Sequence, residues 1–110
     1  IIGDQSDPAV LASAIERLDG IDIVIDDGSH VGRHQITSFE YLYPRLSERG
    51  VYACEDFHCS YWESHEGGYQ RPGTFIEFSK QLIDRMGGTL GIESPPILSG
   101  LSVVAAIIRG

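Results

Sequence analysis

The sequence predicts an α/β protein with a mostly parallel sheet and one antiparallel strand. Strand-like and helix-like stretches alternate three times along the chain, and two further apolar stretches close it. The 110 residues are 42% hydrophobic, which is enough for one modest domain with its own core. The 13 glycines suit the tight turns that this alternation requires.

The first element reads as the end of a strand, "IIG", and it is followed by a loop and a helix. Asp7 before Pro8 is typical of a helix N-cap followed by proline at the first helical position. Apolar residues then recur at helical spacing until Gly20, which we expect to end the helix. The apolar stripe consists of Val10, Leu11, Ala14, Ile15 and Leu18.

A strand and a second helix follow. Residues 21–26, "IDIVID", predict a short buried strand, and residues 29–46, "SHVGRHQITSFEYLYPRL", predict the helix. An apolar stripe marks one face of this helix, and Pro44 strains its C-terminal end. The stripe is formed by Ile36, Phe39 and Leu42.

The second half of the chain repeats the alternation. Residues 50–55, "GVYACE", predict another apolar strand that ends in an acid. Residues 56–73 form a long loop rich in aromatic residues, His and Gly, and loops of this length are often functional. A helix is predicted over 74–88. Two strands, 89–94 and 101–109, follow, and the turn "PPILSG" between them allows antiparallel pairing at a sheet edge.

Charge and cysteine content argue against several functional classes. The net charge of -8 argues against a nucleic-acid or anionic-membrane partner, because both require a basic surface. Cys54 and Cys59 are too few for a disulfide framework and lack zinc-knuckle spacing, so we expect reduced thiols in a cytoplasmic protein. No signal peptide is visible, and no apolar run approaches the roughly 18 residues of a membrane span.

Polar clusters follow three consecutive predicted strands: "GDQSD", "DDGSH" and "EDFH". Because the carboxyl ends of parallel strands meet at one edge of a sheet, we expect these clusters to line up there. Ligands of open α/β sheets bind beyond this edge. The sequence therefore predicts one functional site built from three strand ends.

Three carboxylates at this edge predict a metal site. Asp27, Glu55 and Asp56 come from two neighbouring strand ends, and hard oxygen ligands in this number suit Mg²⁺ better than zinc. The alternative is that each acid caps the helix that follows it. We favour the metal site because adjacent strand ends would otherwise concentrate charges that repel each other.

Histidines accompany these acids. His30 lies three residues after Asp27, just inside the predicted helix, where an imidazole can act as a general base near neutral pH. The alternative is an ordinary surface or capping histidine. His34 is one turn later and would form a metal-binding pair with His30, although the carboxylates favour a harder ion.

Two further stretches remain open to more than one interpretation. The "GDQSD" segment offers small polar groups to an adenine or ribose, but an ordinary Asx turn explains it equally well. In the long loop, Tyr61, Trp62 and Tyr69 either cover a flat or sugar-like substrate or pack the loop onto the domain.

The ensemble resembles a known family. "IDDGSH" followed by "GVYACEDFHCSYW" is similar to metal-dependent, S-adenosylmethionine-dependent O-methyltransferases of class I. More narrowly, it resembles the sugar O-methyltransferases of macrolide and rhamnosyl-tetracenomycin antibiotic pathways. The resemblance is strongest over residues 21–62, and the acid pair "ED" 28 residues after Asp27 strengthens it because catechol-type methyltransferases have a similar spacing.

The resemblance implies a fold and a metal site. The fold would be a Rossmann-like three-layer sandwich, truncated at its N-terminus. His30 would take the position of the general base, which is a lysine in catechol-type relatives. The implied Mg²⁺ ligands are Asp27, Glu55 and Asp56.

The resemblance also implies a reaction, namely methyl transfer from S-adenosylmethionine to a sugar hydroxyl of a glycosylated natural product. Mg²⁺ would orient and acidify the acceptor hydroxyl, and His30 would remove its proton. The "GDQSD" turn would contact the adenine of the cofactor. The residues implied there are Asp4, Gln5 and Ser6.

One departure from the family pattern concerns the cofactor site. The Gly-rich loop and the ribose-binding acid of the first two strands are absent from these residues. We therefore expect residues 1–110 to be the C-terminal part of a methyltransferase catalytic domain, with an exposed sheet edge that favours homo-oligomers. The fragment itself is then expected to be inactive.

Two other functions remain as alternatives. A carboxylate–Mg²⁺ hydrolase or phosphotransferase also places acids at strand ends, although these residues contain no phosphate-binding Gly/Lys loop. A non-catalytic Rossmann-like assembly module is the other alternative, and the full set of three acids and a histidine argues against it. The expected partner is a small-molecule glycoside, with no nucleic acid and no membrane.

Overall fold

A computed structural model describes residues 1–87 of the chain and confirms the α/β class for them. Its strands form a two-stranded parallel sheet, and three α-helices accompany it. The antiparallel pair predicted over 89–94 and 101–109 lies outside the described residues.

The first helix, α1, spans Pro8–Ile15 and begins as predicted. The Asp7 side chain accepts a hydrogen bond from the backbone N–H of Ala9 at 2.8 Å. The predicted end at Gly20 was wrong, because the N–H of Leu18 bonds the carbonyl of Ile15, three residues back, instead of continuing the α-helix. Leu18 therefore lies outside α1 and is not on its apolar face, and its side chain is 57% exposed.

The two strands, β1 (Ile23–Asp26) and β2 (Val51–Cys54), pair in parallel with Asp26 opposite Cys54. Their carboxyl ends therefore meet, as predicted, and the N–H of Glu55 extends the pairing to the Asp26 carbonyl at 2.9 Å. The prediction of a buried strand over 21–26 is confirmed for Ile21 and Asp26 and wrong for Ile23 and Ile25, which are exposed. Successive side chains of a strand point to opposite faces, and Ile23 and Ile25 share the face opposite to that of the buried Asp26.

The second helix, α2, spans Gly32–Leu42 and is shorter than predicted. It begins after His30, whose positive φ of 57° is incompatible with a right-handed helix. The prediction that His30 lies inside the helix was therefore wrong. At the other end, Pro44 occupies a 3₁₀ turn, Tyr43–Arg45, that replaces the predicted last turn.

The third helix, α3, spans Phe75–Gly87 and packs against α2. Phe39 of α2 lies at the centre of the core, with its ring 4.8 Å from that of Tyr43 and 5.1 Å from that of Tyr52. The long loop joins this core through Phe57, whose ring lies 5.1 Å from that of Phe75. The core thus ties the loop and both helices to the sheet edge where the strands end.

Both cysteines are free thiols, as predicted. Burial, and then the charge of Asp26, raise the pKa of the Cys54 thiol well above its ordinary value. Gln35, which is almost fully buried, donates a hydrogen bond to the sulfur of Cys54 at 3.2 Å. These surroundings are typical of a structural cysteine.

Candidate metal centre

Three predicted site residues converge at the carboxyl ends of the two strands. Asp27, His30 and Asp56 each offer a ligand atom within 4.8 Å of the other two. The Nε2 atom of His30 lies 3.7 Å from Oδ1 of Asp27 and 3.6 Å from Oδ2 of Asp56. Two carboxylates and one imidazole form a donor set that suits a divalent cation such as Mg²⁺ or Mn²⁺.

Sharp turns of the backbone bring these side chains together. Asp27 directly follows β1, and Asp56 lies two residues after β2. His30 and Asp56 both have left-handed φ values, 57° and 51°, which non-glycine residues rarely adopt. Rare conformations of this kind cluster at functional sites, where the surrounding structure maintains them.

Helix capping does not explain the two acids. The N-cap of α2 is Val31, and no side chain caps that helix. Asp56 precedes the 3₁₀ turn Phe57–Tyr61, but its side chain makes no capping hydrogen bond there. Among the described residues, neither Asp27 nor Asp56 therefore caps the helix that follows it, which was the alternative to a metal site.

The group opens toward solvent above a largely buried histidine. The Asp27 and Asp56 side chains are 61% and 50% exposed, whereas that of His30 is 19% exposed. The Nδ1 atom of His30 is buried and has no hydrogen-bond partner among residues 1–87. Accessible carboxylates around the Nε2 atom of His30 fit a site that binds an added group.

The structure does not bring Glu55 or His34 into this group. Glu55 is exposed and extends the strand pairing through its N–H, while its carboxylate lies outside the convergent set. The Nδ1 atom of His34 shares a hydrogen bond of 2.8 Å with the hydroxyl of Ser29. Glu55 remains a predicted ligand, and the predicted pairing of His30 with His34 is not formed.

The "GDQSD" segment forms a local turn. Oδ1 of Asp4 accepts hydrogen bonds from the backbone N–H and the hydroxyl of Ser6, at 2.8 and 2.7 Å. These bonds hold the pKa of the Asp4 carboxyl below its ordinary value. The Asx turn that the sequence left open is present, and contact with a cofactor stays a prediction for Asp4, Gln5 and Ser6.

Gln5 reaches from this turn into the end of β1. Its Nε2 donates to Oδ1 of Asp26 at 2.9 Å, and its Oε1 accepts from the backbone N–H of Ser29 at 2.6 Å. Tyr52 donates from its hydroxyl to the other oxygen of Asp26 at 2.8 Å. Asp26, the first acid of "DDGSH", is thus a buried carboxylate satisfied by two neighbours.

Sequence reasoning missed this network, although one signal pointed to it. Asp26 and Val24 are two residues apart in β1, so their side chains point to the same, inward face of the sheet. A carboxylate on that face requires hydrogen-bond donors nearby. The identity of the donors was not readable, because Gln5 is 21 residues and Tyr52 is 26 residues away along the chain.

Aromatic rings extend from the metal group into the long loop. Nδ1 of His58 lies 3.9 Å from Oδ1 of Asp56, and the His58 ring lies 4.8 Å from that of Trp62. The Trp62 ring is 5.8 Å from that of His65, which is 6.4 Å from the ring of His30. Trp62 is therefore linked to the acids and to His30 by one histidine on each side.

An ion pair fixes the loop against α2. The Arg33 guanidinium donates from Nε and Nη2 to the two carboxylate oxygens of Glu66, at 3.0 and 3.2 Å. These bonds hold the pKa of the Glu66 carboxyl below its ordinary value. Glu66 directly follows His65, so the pair anchors the loop next to the rings described above.

Sequence comparison finds related proteins but no matching family profile. The 8-demethyl-8-alpha-L-rhamnosyl tetracenomycin-C 2'-O-methyltransferase of Streptomyces olivaceus is 45% identical over 85 residues. The mycinamicin VI 2''-O-methyltransferase of Micromonospora griseorubida is 42% identical over 88 residues. Each match covers 76% of this chain but 22% of the relative, so the chain spans about a fifth of their length.

Structure comparison agrees with the sequence comparison. The MycE methyltransferase from the mycinamycin biosynthetic pathway, in complex with Mg, SAH and mycinamycin VI, matches with a TM-score of 0.73 and 39% identity. The match covers 79% of this chain and 25% of that one. At this identity the likeness extends to sequence as well as fold.

Proposed function

This chain is related to one segment of the sugar O-methyltransferases of antibiotic pathways, and we propose that its whole protein transfers a methyl group to a sugar hydroxyl of a glycosylated small molecule. The methyl donor in this proposal is S-adenosylmethionine, since the matching MycE complex contains SAH. The observation that carries the proposal is the convergence of Asp27, His30 and Asp56 at one strand edge, in a chain whose relatives carry this activity.

The proposal assigns the chain to part of a larger catalytic unit. Residues 1–110 form the C-terminal part of a catalytic domain in this proposal, within a Rossmann-like three-layer sandwich that includes an antiparallel strand. The fold match and the fractional coverage of the relatives support this assignment.

The metal in this proposal is Mg²⁺, held by Asp27 and Asp56 with Glu55 as a third carboxylate ligand. Their carboxylates match the oxygen preference of the ion, and the exposure of all three leaves them free to bind it. A bound divalent cation would supply charge that lowers the pKa of a coordinated hydroxyl.

His30 acts as the general base. Its Nε2 faces the acids and accepts the proton of the acceptor hydroxyl, so that the oxygen gains the electron pair needed for attack on the methyl carbon. As the new C–O bond forms, the methyl–sulfur bond breaks and its electron pair stays with sulfur. Asp27 and Asp56 lie within 4 Å of Nε2, so the base and the two aspartate ligands border the same space for the acceptor.

The cofactor side of the proposal rests on the turn before α1. Asp4, Gln5 and Ser6 lie there as candidates for contact with the adenine, and the Gln5 amide also holds Asp26 and Ser29. This turn and the metal group flank the end of the same strand, which is the arrangement that a cofactor crossing a sheet edge requires.

Location and partners are also part of the proposal. We retain a cytoplasmic homo-oligomer that binds neither nucleic acid nor membranes, in keeping with the net charge of -8. Among residues 1–87, every helix is too short or too polar to cross a bilayer.

The proposal is tested in the full-length protein with radiolabelled S-adenosylmethionine and the acceptors named for the relatives. We expect methyl transfer that requires Mg²⁺ and falls at least about a hundredfold in Asp27→Asn, in line with loss of a metal ligand. Asp84→Asn, which removes an exposed acid of α3, is the matched control and should leave the rate unchanged.

Two results would overturn the proposal. Full activity in Asp27→Asn would remove the metal assignment, and absence of S-adenosylmethionine binding by the wild-type protein would remove the reaction. Release of phosphate from p-nitrophenyl phosphate with Mg²⁺ alone would favour the hydrolase alternative instead.

A further inference from the structure

Trp62 is a large exposed aromatic side chain beside the metal group. It is 50% exposed and does not belong to the apolar core cluster. Single exposed aromatic residues are common, so exposure alone indicates nothing. What distinguishes Trp62 is its place between His58 and His65, which connect it to Asp56 and His30.

The backbone of Trp62 is fixed by hydrogen bonds. Its N–H donates to the carbonyl of Cys59 at 3.0 Å, and its own carbonyl accepts from the N–H groups of His65 and Gly67 at 3.0 and 2.8 Å. A Cβ atom at Gly67 would lie 2.4 Å from the Ser60 carbonyl oxygen, so only glycine allows this close approach. The loop therefore holds the backbone of the half-exposed Trp62 in a defined position.

We propose that Trp62 binds the sugar ring of the acceptor, an inference that rests on the function proposed above. The C–H groups on one face of a pyranose carry partial positive charge and pack on the negative face of an aromatic ring. Such packing orients the ring while its hydroxyls point elsewhere. In this proposal the hydroxyls point toward the group formed by Asp27, His30 and Asp56, which His58 and His65 connect to Trp62.

The two flanking histidines give the same subsite polar groups. Nδ1 of His65 shares a hydrogen bond of 3.0 Å with the hydroxyl of Ser64, which leaves its Nε2 for other partners. The His58 and His65 rings meet Trp62 at interplanar angles of 76° and 58°, so neither stacks parallel to it. An apolar ring bordered by imidazole nitrogens is the combination that a sugar, with apolar and hydroxylated faces, requires.

Saturation-transfer NMR on the full-length protein tests this inference, with methyl α-L-rhamnopyranoside as the probe. We expect transfer to the ring protons of the sugar in wild type and its loss in Trp62→Leu. Trp62→Phe keeps a flat aromatic face and should retain part of the signal. Ile83→Ala, which removes a 53% exposed apolar side chain of α3, is the control and should match wild type.

Kinetics provide a second readout. In Trp62→Leu, KM for the glycoside should rise roughly threefold to tenfold while kcat changes little, as expected for loss of one aromatic contact. Affinity for Mn²⁺ should stay at the wild-type value, which shows that the metal group is intact. If the affinity of Trp62→Leu for Mn²⁺ also falls, the Trp62→Phe variant decides between the two explanations. Sugar binding that is retained in Trp62→Phe supports the inference, and sugar binding that is lost to the same extent as in Trp62→Leu overturns it.

The inference fails separately from the proposed function. An unchanged sugar signal in Trp62→Leu, or no signal in wild type, overturns the role of Trp62 even if methyl transfer is observed. Absence of methyl transfer and of S-adenosylmethionine binding in wild type overturns the proposed function, whatever the sugar signal shows.

Discussion

Gln5 donates a hydrogen bond from Nε2 to Oδ1 of Asp26 at 2.9 Å, and this contact ties the turn before α1 to the end of β1. The same amide donates to the hydroxyl of Ser38 in α2 at 3.1 Å, and its oxygen accepts from Ser29 N–H. Asp26 is 6% exposed, so its carboxylate oxygens require such donors in place of water. One side chain thus joins three segments directly behind the metal group.

Replacement of Gln5 by Leu should destabilise the protein. The change removes three hydrogen bonds and leaves buried Asp26 with one donor, so we expect the free energy of unfolding to fall by about 1–3 kcal/mol. Urea denaturation followed by circular dichroism measures it. Gln81→Leu, at an exposed position of α3, is the control. Equal stability of the two variants would show that the Gln5 contacts contribute nothing.

Tyr52→Phe should cost about 1 kcal/mol, because Asp26 then loses the hydrogen bond from the tyrosine hydroxyl. Combining it with Gln5→Leu should cost more than the sum of the single changes, since Asp26 would keep neither donor. A double-mutant cycle in urea measures this coupling. Strict additivity would mean that the two donors act independently.

Tyr52 also predicts a dependence of stability on alkaline pH. Burial, and then the charge of Asp26, raise the pKa of the Tyr52 hydroxyl above its ordinary value. A raised folded-state pKa gives stability that is complete below the unfolded value of about 10 and is lost as pH rises above it. The difference between wild type and Tyr52→Phe should therefore shrink from pH 8 to about pH 10.5, and a constant difference would contradict this account.

Local signals predicted the parts of the fold that depend on neighbouring residues. Asp7 and Pro8 fixed the start of α1, and the apolar stretches before Asp27 and Glu55 fixed the two strand ends. Parallel pairing then followed from the order of elements. Those predictions concern bonds made within a few residues, where propensity and capping decide the outcome.

The rest depended on contacts between distant residues. The left-handed conformation of His30 moved the start of α2 to Gly32, and no residue type in "DDGSH" demands that conformation. The donors to Asp26 and the Arg33–Glu66 ion pair link residues at least 21 positions apart. The convergence of Asp27 with Asp56 was predictable, because both follow the carboxyl ends of neighbouring parallel strands. The position of Glu55 outside that group was not, because it depends on the directions in which the side chains that follow β2 point.

Two adjacent glycines give a matched test of the loop that carries Trp62. A Cβ atom at Gly67 would lie 2.4 Å from the Ser60 carbonyl oxygen and 2.8 Å from the Trp62 nitrogen, both backbone atoms. At Gly68 the nearest atoms are in the Arg71 side chain, at 3.4 Å. Gly67→Ala should therefore destabilise the protein by about 1–3 kcal/mol, and Gly68→Ala by much less.

Thermal melts of the two alanine variants measure this difference. Gly67→Ala should also shift the fluorescence of Trp62, because the strain acts on its backbone. If Gly67→Ala and Gly68→Ala have the same melting temperature, the backbone of the Ser60–Trp62 segment moves away from the new Cβ atom without loss of stability, and the loop is not rigid.

The Arg33–Glu66 ion pair predicts a dependence on acid and salt. Hydrogen bonds from Arg33 lower the pKa of Glu66 in the folded protein. The ion pair therefore stabilises the folded state fully at pH values above the pKa of Glu in the unfolded chain, about 4.3, and this stabilisation is lost as the pH falls below it. Glu66→Gln should lower the melting temperature at pH 7, by less in high salt, and leave it unchanged near pH 3. Glu16→Gln, at an exposed position after α1, is the control. If the melting temperature of Glu66→Gln is still lower than that of wild type near pH 3, the decrease has a cause other than loss of the ion pair.

Glu55 provides the sharpest test of the metal site, because it is a predicted ligand that lies outside the convergent group. A Glu side chain beside Asp56 has enough rotatable bonds to turn toward a cation, so we expect Glu55→Gln to weaken Mn²⁺ binding about tenfold, close to the effect of Asp27→Asn. Electron paramagnetic resonance of free Mn²⁺ measures both affinities in the full-length protein. Asp84→Asn is again the control, since its carboxylate is on an exposed face of α3.

The alternative result would change the ligand set. If Glu55→Gln binds Mn²⁺ like wild type while Asp27→Asn and Asp56→Asn do not, the two aspartates bind the ion without Glu55. His30, whose Nε2 lies 3.6 Å from Asp56, is then the remaining member of the group to test, and weaker Mn²⁺ binding in His30→Gln would make it a ligand. A metal-bound imidazole has no free Nε2 to accept a proton, so His30 would no longer serve as the base. The Mn²⁺ affinities of the Glu55→Gln and His30→Gln variants together therefore decide the roles of both residues.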